Sequence, residues 1–217
     1  MSLEAILDEI RRTDLTKTIH RKVYPAIDPT RPALNQAGKS VLVTGGGTNI
    51  GFAIAQAFLR ASAAIIIIVG RRADVLDTAR SRLEQEAKDL GLGTKVIATT
   101  CDVVKSDQVD ALWKDLEAKG IFVDVYVANA AKFTEPEPMM KLGFDEVWSQ
   151  VETNVKSPLY FATKFHAQSG ASDKQKVRSK MPRHSSKHLS AYLIVVSNRS
   201  SSTYPPDLST GLIIQRS

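Results

Sequence analysis

The sequence predicts an α/β protein built as a doubly wound parallel sheet, and three observations carry that prediction. From Ser40 onward, short apolar runs alternate strictly with amphipathic helical segments. A glycine-rich turn follows the first run directly and opens the first helix. The 217 residues are 43% hydrophobic and 24% charged, enough for one domain with a real core. Strict alternation of strand and helix requires right-handed crossovers, which place helices on both faces of a parallel sheet.

Taken in order, residues 1–38 form an extension before the domain at 39–217. Leu3, Ile6, Leu7 and Ile10 fall at helical spacing and predict one short helix. Pro25, Pro29 and Pro32 then break regular structure and predict an extended arm. Val41 to Thr44 reads as the first strand and Ile50 to Leu59 as the first helix. Ile65 to Val69 is the second strand, its isoleucines suited to a strand buried on both faces. A helix over Ala73–Leu90, a strand over Val96–Thr99 and a helix over Asp107–Ala118 follow. The fourth strand is expected at Val123–Ala128, a long helix from about Phe144 to His166, and a fifth strand at Tyr192–Ser197. There is no internal repeat and no sign of a second domain.

Composition narrows the setting. A single cysteine, Cys101, forms no internal disulfide, so a reducing compartment is expected. The longest strongly apolar stretch, Ala63 to Val69, is too short to cross a bilayer. Glu4, Asp8 and Glu9 lie where a secretory signal would need an apolar core, so a cytoplasmic location is expected, with no membrane partner. The formal net charge of +6 is local: between Ser169 and Ser190, six lysines and arginines face Asp173 alone. That run carries no aromatic residue and is rich in Ser and Lys, so it reads as a solvated basic insertion at 169–190, with no nucleic-acid partner expected.

The chemistry begins at Thr44, Gly45, Gly46, Gly47, Thr48, Asn49, Ile50, Gly51. Glycines there let backbone approach a diphosphate, whose charge is favoured by the free N–H groups and positive end of the following helix. This turn resembles the Thr-Gly-x-x-x-Gly-Ile-Gly fingerprint of the short-chain dehydrogenase/reductase family, with Asn49 in place of the second glycine. Asparagine visits positive φ more readily than other non-glycine residues, so the turn survives the replacement. The resemblance implies a Rossmann-like sheet in the order 3-2-1-4-5. It assigns cofactor contacts to Gly45, Thr48, Asn49, Ile50 and Gly51.

The second strand ends at Val69, Gly70, Arg71, Arg72, without the carboxylate that an unphosphorylated ribose asks for. Arg71, with Arg72 as second candidate, suits a 2′-phosphate, so NADP(H) is the expected cofactor. Asp102 and Val103 resemble the family's adenine-contacting pair, and Asp102 also suits a helix cap. Asn129 and Ala130 resemble part of its Asn-Asn-Ala-Gly, which braces the sheet and lines the nicotinamide-side ribose. Asn154, with Val155 after it, resembles the family's Asn-Val-x-Gly, whose asparagine kinks the helix and orders an active-site water. Ser197 resembles its catalytic serine, so Asn154 and Ser197 are the catalytic candidates.

The family's Tyr-x-x-x-Lys does not follow Ser197. Tyr160 and Lys164 have that spacing, but on the preceding helix, where the family has a packing aromatic. The resemblance covers about residues 39–209 and lacks the family's catalytic helix and last strands, so the chain reads as C-terminally truncated, and its uncovered apolar surface is expected to favour aggregation. Three functions follow: an NADP(H)-dependent oxidoreductase acting on a carbonyl or alcohol of a small organic substrate, a catalytically incompetent nucleotide-binding member of the same family, or an interaction protein using the basic insertion and the N-terminal arm.

Overall fold

Two stripes of period two on the strands decide how the helices pack. The computed structural model describes residues 20, 22–134, 137–168 and 194–197. Its strands are β1 (Ser40–Thr44), β2 (Ile65–Gly70), β3 (Lys95–Thr100), β4 (Val125–Ala128) and β5 (Ile194–Ser197). Helices α1 (Asn49–Arg60), α2 (Ala73–Asp89) and α3 (Ser106–Ala118) follow the first three strands. After β4 come α4 (Met139–Leu142), α5 (Phe144–Val151), a π-helical segment Glu152–Lys156 and α6 (Ser157–His166).

The sheet order is β3-β2-β1-β4-β5, as the resemblance implies. Val41, Val43, Ile66, Ile68, Val125 and Val127 point to one face, where Phe52, Ala55 and Leu59 of α1 and Leu76, Ala79 and Leu83 of α2 cover them. The alternate residues Leu42, Ile67, Val69 and Tyr126 point to the other face, under Val109, Leu112 and Trp113 of α3 and Phe161 and Phe165 of α6. Alternation of side chains along each strand thus feeds two separate cores, each closed by its own helix pair. Phe161 stacks on Tyr126 with ring centroids 5.5 Å apart, and the edge of Trp113 meets both phenylalanines.

β1 to β4 pair in parallel, as expected. β5 does not: it runs antiparallel to β4, with Ile194 opposite Ala128 and Ser197 opposite Val125. The parallel sheet stands in β1 to β4, and β5 alone departs from it. A parallel partner is forced only when a crossover returns the chain to the start of the sheet. The stretch between α6 and β5, residues 167–193, is long enough in number of residues to allow either strand direction.

Two smaller expectations also change. Pro25 and Pro32 each open a single 3-10 turn, Pro25–Ile27 and Pro32–Leu34, because a fixed φ suits a first helical position. The long helix is not continuous, being interrupted at Glu152–Lys156. The short helix expected near Leu3 and the basic insertion at 169–190 lie outside the described residues. No described helix is long and apolar enough to cross a membrane.

Candidate functional site

The C-terminal ends of β1, β2 and β4 meet around the glycine turn. Gly45 N–H donates to the carbonyl of Val69 at 2.7 Å, which fastens the turn to the end of β2. Gly45 has φ +67° and Asn49 has φ +45°, so both occupy the left-handed region, Asn49 as its residue type allows. A Cβ on Gly51 would lie 2.1 Å from the Gly45 carbonyl oxygen, and one on Gly45 would lie 2.9 Å from Asn129 Nδ2. These positions therefore accept only glycine. Thr48 stands at the N-cap of α1 with no side-chain capping bond, so its hydroxyl does not cover the first-turn amides, while Ile50 beside it is 57% exposed. A backbone cradle of this shape at a helix start fits a diphosphate.

Thr44 and Asn129 sew β1 to β4 directly beneath that cradle. The buried Thr44 hydroxyl accepts from the N–H groups of Asn129 and Ala130, both at 3.1 Å, and donates to the Val127 carbonyl at 3.2 Å. The Asn129 side-chain amide donates to the carbonyl of Thr44 at 2.9 Å and reaches that of Gly45 at 3.4 Å. Asn129 and Ala130 thus sit against the turn, as their resemblance to the family's bracing pair implied.

Arg71 and Arg72 are exposed just beyond the end of β2, and neither forms an ion pair among the described residues. No carboxylate ends that strand; Asp74 follows in the first turn of α2. Half-buried Asp102 accepts from Val104 N–H at 3.3 Å, and its own N–H donates to Gln108 Oε1 at 2.8 Å. It therefore organises the entry to α3. Val103 is buried in the second core, 9% exposed.

Asn154 lies in the π-helical segment and grips one residue at both polar ends. Its Oδ1 accepts from Lys132 N–H and its Nδ2 donates to the Lys132 carbonyl, each at 2.8 Å. The interruption has a local cause: residue 158 is proline, so the carbonyl of Asn154 lacks its i+4 donor. A π-helical interruption stands where the resemblance implied a kink.

Ser197 is not brought to this crevice. It pairs opposite Val125, at the start of β4, about three residues or ~10 Å along the strand from the end that carries Asn129. The separation follows from the antiparallel direction of β5. Tyr160 and Lys164 are likewise committed elsewhere. The Tyr160 hydroxyl donates to Asp110 Oδ1 at 2.7 Å, and Lys164 Nζ meets the same oxygen at 2.6 Å. Hydrogen bonds from Lys164 and then Tyr160 hold the Asp110 carboxyl below its usual range. Burial, with Asp102 and Asp107 nearby, pushes the Cys101 thiol up to about 11, so it is no nucleophile at neutral pH.

Two residues of the site escape a reading of the sequence. Thr44 was readable only as part of the fingerprint, although a hydroxyl at the end of a buried strand signals a hydrogen-bonding duty. Lys132 carries no motif at all, and its partners come from a helix more than ten residues later.

A family model described as short chain dehydrogenase matches residues 39–176. The chain is 33% identical over 125 residues to the short chain dehydrogenase/reductase dpfgG of Gibberella zeae, covering 57% of this chain and 43% of that one. It is 28% identical over 152 residues to the short chain dehydrogenase pigC of Monascus ruber, covering 70% and 49%. Among solved structures, L-sorbose reductase from Gluconobacter frateurii superposes with a TM-score of 0.53 at 28% identity, over 60% of this chain and 47% of that one. The chain thus spans about half the length of these relatives. With the matched region running from the first strand through the interrupted helix, and the glycine turn and Asn129 in their expected places, the chain belongs to the short-chain dehydrogenase family.

Proposed function

We propose that the protein is an NADP(H)-dependent oxidoreductase acting on a carbonyl or alcohol group of a small organic substrate. The observation that carries the cofactor choice is the end of β2, where Arg71 and Arg72 stand exposed and unpaired among the described residues and no carboxylate is present. A guanidinium pairs with a 2′-phosphate through two parallel hydrogen bonds, whereas a 2′-hydroxyl calls for an acceptor. The solved L-sorbose reductase was crystallised with NADPH, which supports the same choice.

In this reading Gly45, Thr48, Asn49, Ile50 and Gly51 hold the diphosphate on backbone amides. Asp102 and Val103 border the adenine, and Asn129 and Ala130 the second ribose. The dinucleotide, when bound, supplies or accepts hydride. Asn154 holds the segment after β4 in place and presents a carbonyl without its i+4 donor, which is suited to ordering a water.

A second reading, a nucleotide-binding member without turnover, is favoured by one observation. Ser197 pairs opposite Val125 at the start of β4, and Tyr160 and Lys164 are both bonded to Asp110. Fluorescence titration with NADPH and NADH tests the cofactor. Saturable binding with NADPH preferred is expected, and Arg71→Ala should lower NADPH affinity at least about tenfold while leaving NADH nearly unchanged. Equal loss for both dinucleotides would remove Arg71 from the 2′-phosphate. Ketone-dependent consumption of NADPH then separates the enzyme from the silent binder.

A further inference from the structure

The segment that follows β4 is held more firmly than a connecting loop usually is. Asn129 and Ala130 lie against Gly45, and three residues further on, both polar groups of the Lys132 backbone are taken by Asn154. The Lys132 side chain makes a second, separate attachment. Its Nζ lies 2.9 Å from Glu146 Oε2 and 2.6 Å from Ser149 Oγ, two positions three apart on α5. Gln150 Nε2 donates to Thr134 Oγ1 at 3.0 Å and pins the next part of the same segment. Three successive turns of helix therefore hold residues 132–134.

The ammonium is not an ordinary surface charge. The Lys132 and Glu146 side chains are 39% and 31% exposed, and Glu146 Oε1 is buried with no hydrogen-bond partner among the described residues. Lys132 is thus the cation paired with a carboxylate that is only partly desolvated, and a pair this exposed adds little to folding stability. Loops ordered before a ligand arrives spare the ligand their ordering entropy. Resting on the nucleotide reading above, we infer that the Lys132 side chain, strapped to Glu146 and Ser149, is a positioning residue that pre-orders the segment carrying Asn129 and Ala130 for dinucleotide binding.

The test compares Lys132→Met, Lys132→Arg and the unaltered chain by three measurements. These are amide hydrogen exchange of residues 129–134 without nucleotide, NADPH affinity by fluorescence titration, and the urea midpoint. In Lys132→Met, exchange across 129–134 should quicken about tenfold and NADPH affinity should fall about five- to tenfold, with the urea midpoint little moved, as for a single half-exposed ion pair. Lys132→Arg, which keeps the charge, should recover affinity to within about twofold. Wild-type affinity in Lys132→Met would overturn the assignment. So would an affinity loss that tracks the urea midpoint and is not recovered by arginine, the mark of a merely structural residue. Absence of saturable NADPH binding by the unaltered chain would overturn the nucleotide reading, and this assignment with it. In that case the exchange data still report whether Lys132 orders the segment.

Discussion

A single carbon decides whether the glycine turn closes. At Gly51 a Cβ would sit 2.1 Å from the Gly45 carbonyl oxygen and 2.6 Å from Asn129 Nδ2, which itself reaches that oxygen. Gly51→Ala must therefore open the turn by about an ångström or more, at a cost of about 1–3 kcal/mol, the range for overpacking a close contact. NADPH affinity should drop more than tenfold, because the amides of the first turn move with it. Urea unfolding and fluorescence titration read the two effects. Asn49→Gly is the counterpart: φ is already +45° there, so glycine relieves strain and should leave folding unchanged or slightly better. This contrast explains what of the site was legible in the sequence. Gly45 and Gly51 are demanded by geometry, and the residue type alone carries that message. That β2 is followed by Arg71 and Arg72 without a carboxylate is legible directly. Thr44 and Lys132 act through partners 83 and 14 residues away, and no local pattern announces such pairs.

Strand and helix identities followed from periodicity, since the alternating stripes of β1, β2 and β4 and the three-and-four spacing of α1 to α3 each report one buried face. Two features of the later elements did not follow. The signal for the interruption at Glu152–Lys156 was Pro158 rather than any hydrophobic residue. The direction of β5 was hidden because a long preceding segment removes the crossover constraint that fixed the other four strands. Within this region Asn154 joins the interrupted helix to the end of β4. Asn154→Ala removes both bonds to Lys132 and leaves its N–H and carbonyl unpartnered in a half-buried place, so a loss of about 2–3 kcal/mol is expected in urea unfolding. Asn154→Asp keeps the acceptor for Lys132 N–H but not the donor to its carbonyl, and should fall between the two. Equal stability of the alanine variant and the unaltered chain would show that these bonds add nothing to the docking of the helix.

Among the described residues, helices close both faces of the sheet, and one side of the interrupted helix meets nothing. Phe144, Trp148, Val151, Val155 and Leu159 recur every three or four residues along α5, the π segment and α6, and Phe144, Trp148, Val155 and Leu159 are each more than half exposed. Phe144 and Trp148 stack on each other with ring centroids 6.0 Å apart, and Met140 nearby is 89% exposed. The opposite side of the same helix supplies Phe161 and Phe165 to the core, so the element is apolar on two sides, which a simple amphipathic surface helix is not. Apolar side chains gathered in this way along one exposed helix face favour association. Electrostatic repulsion does little to oppose its association, because nearly all of the +6 net charge is concentrated in residues 169–190. The chain is therefore expected to self-associate as concentration rises and to bind an apolar dye while folded. Replacing Trp148 and Leu159 together by glutamate should suppress both behaviours in sedimentation and dye fluorescence. Folding stability should change by only about 0.5 kcal/mol per site, as for exposed positions, because neither side chain belongs to either core. If association instead persists unchanged in the double variant while stability falls, the stripe is packed against something in solution and the bare face is not what drives assembly.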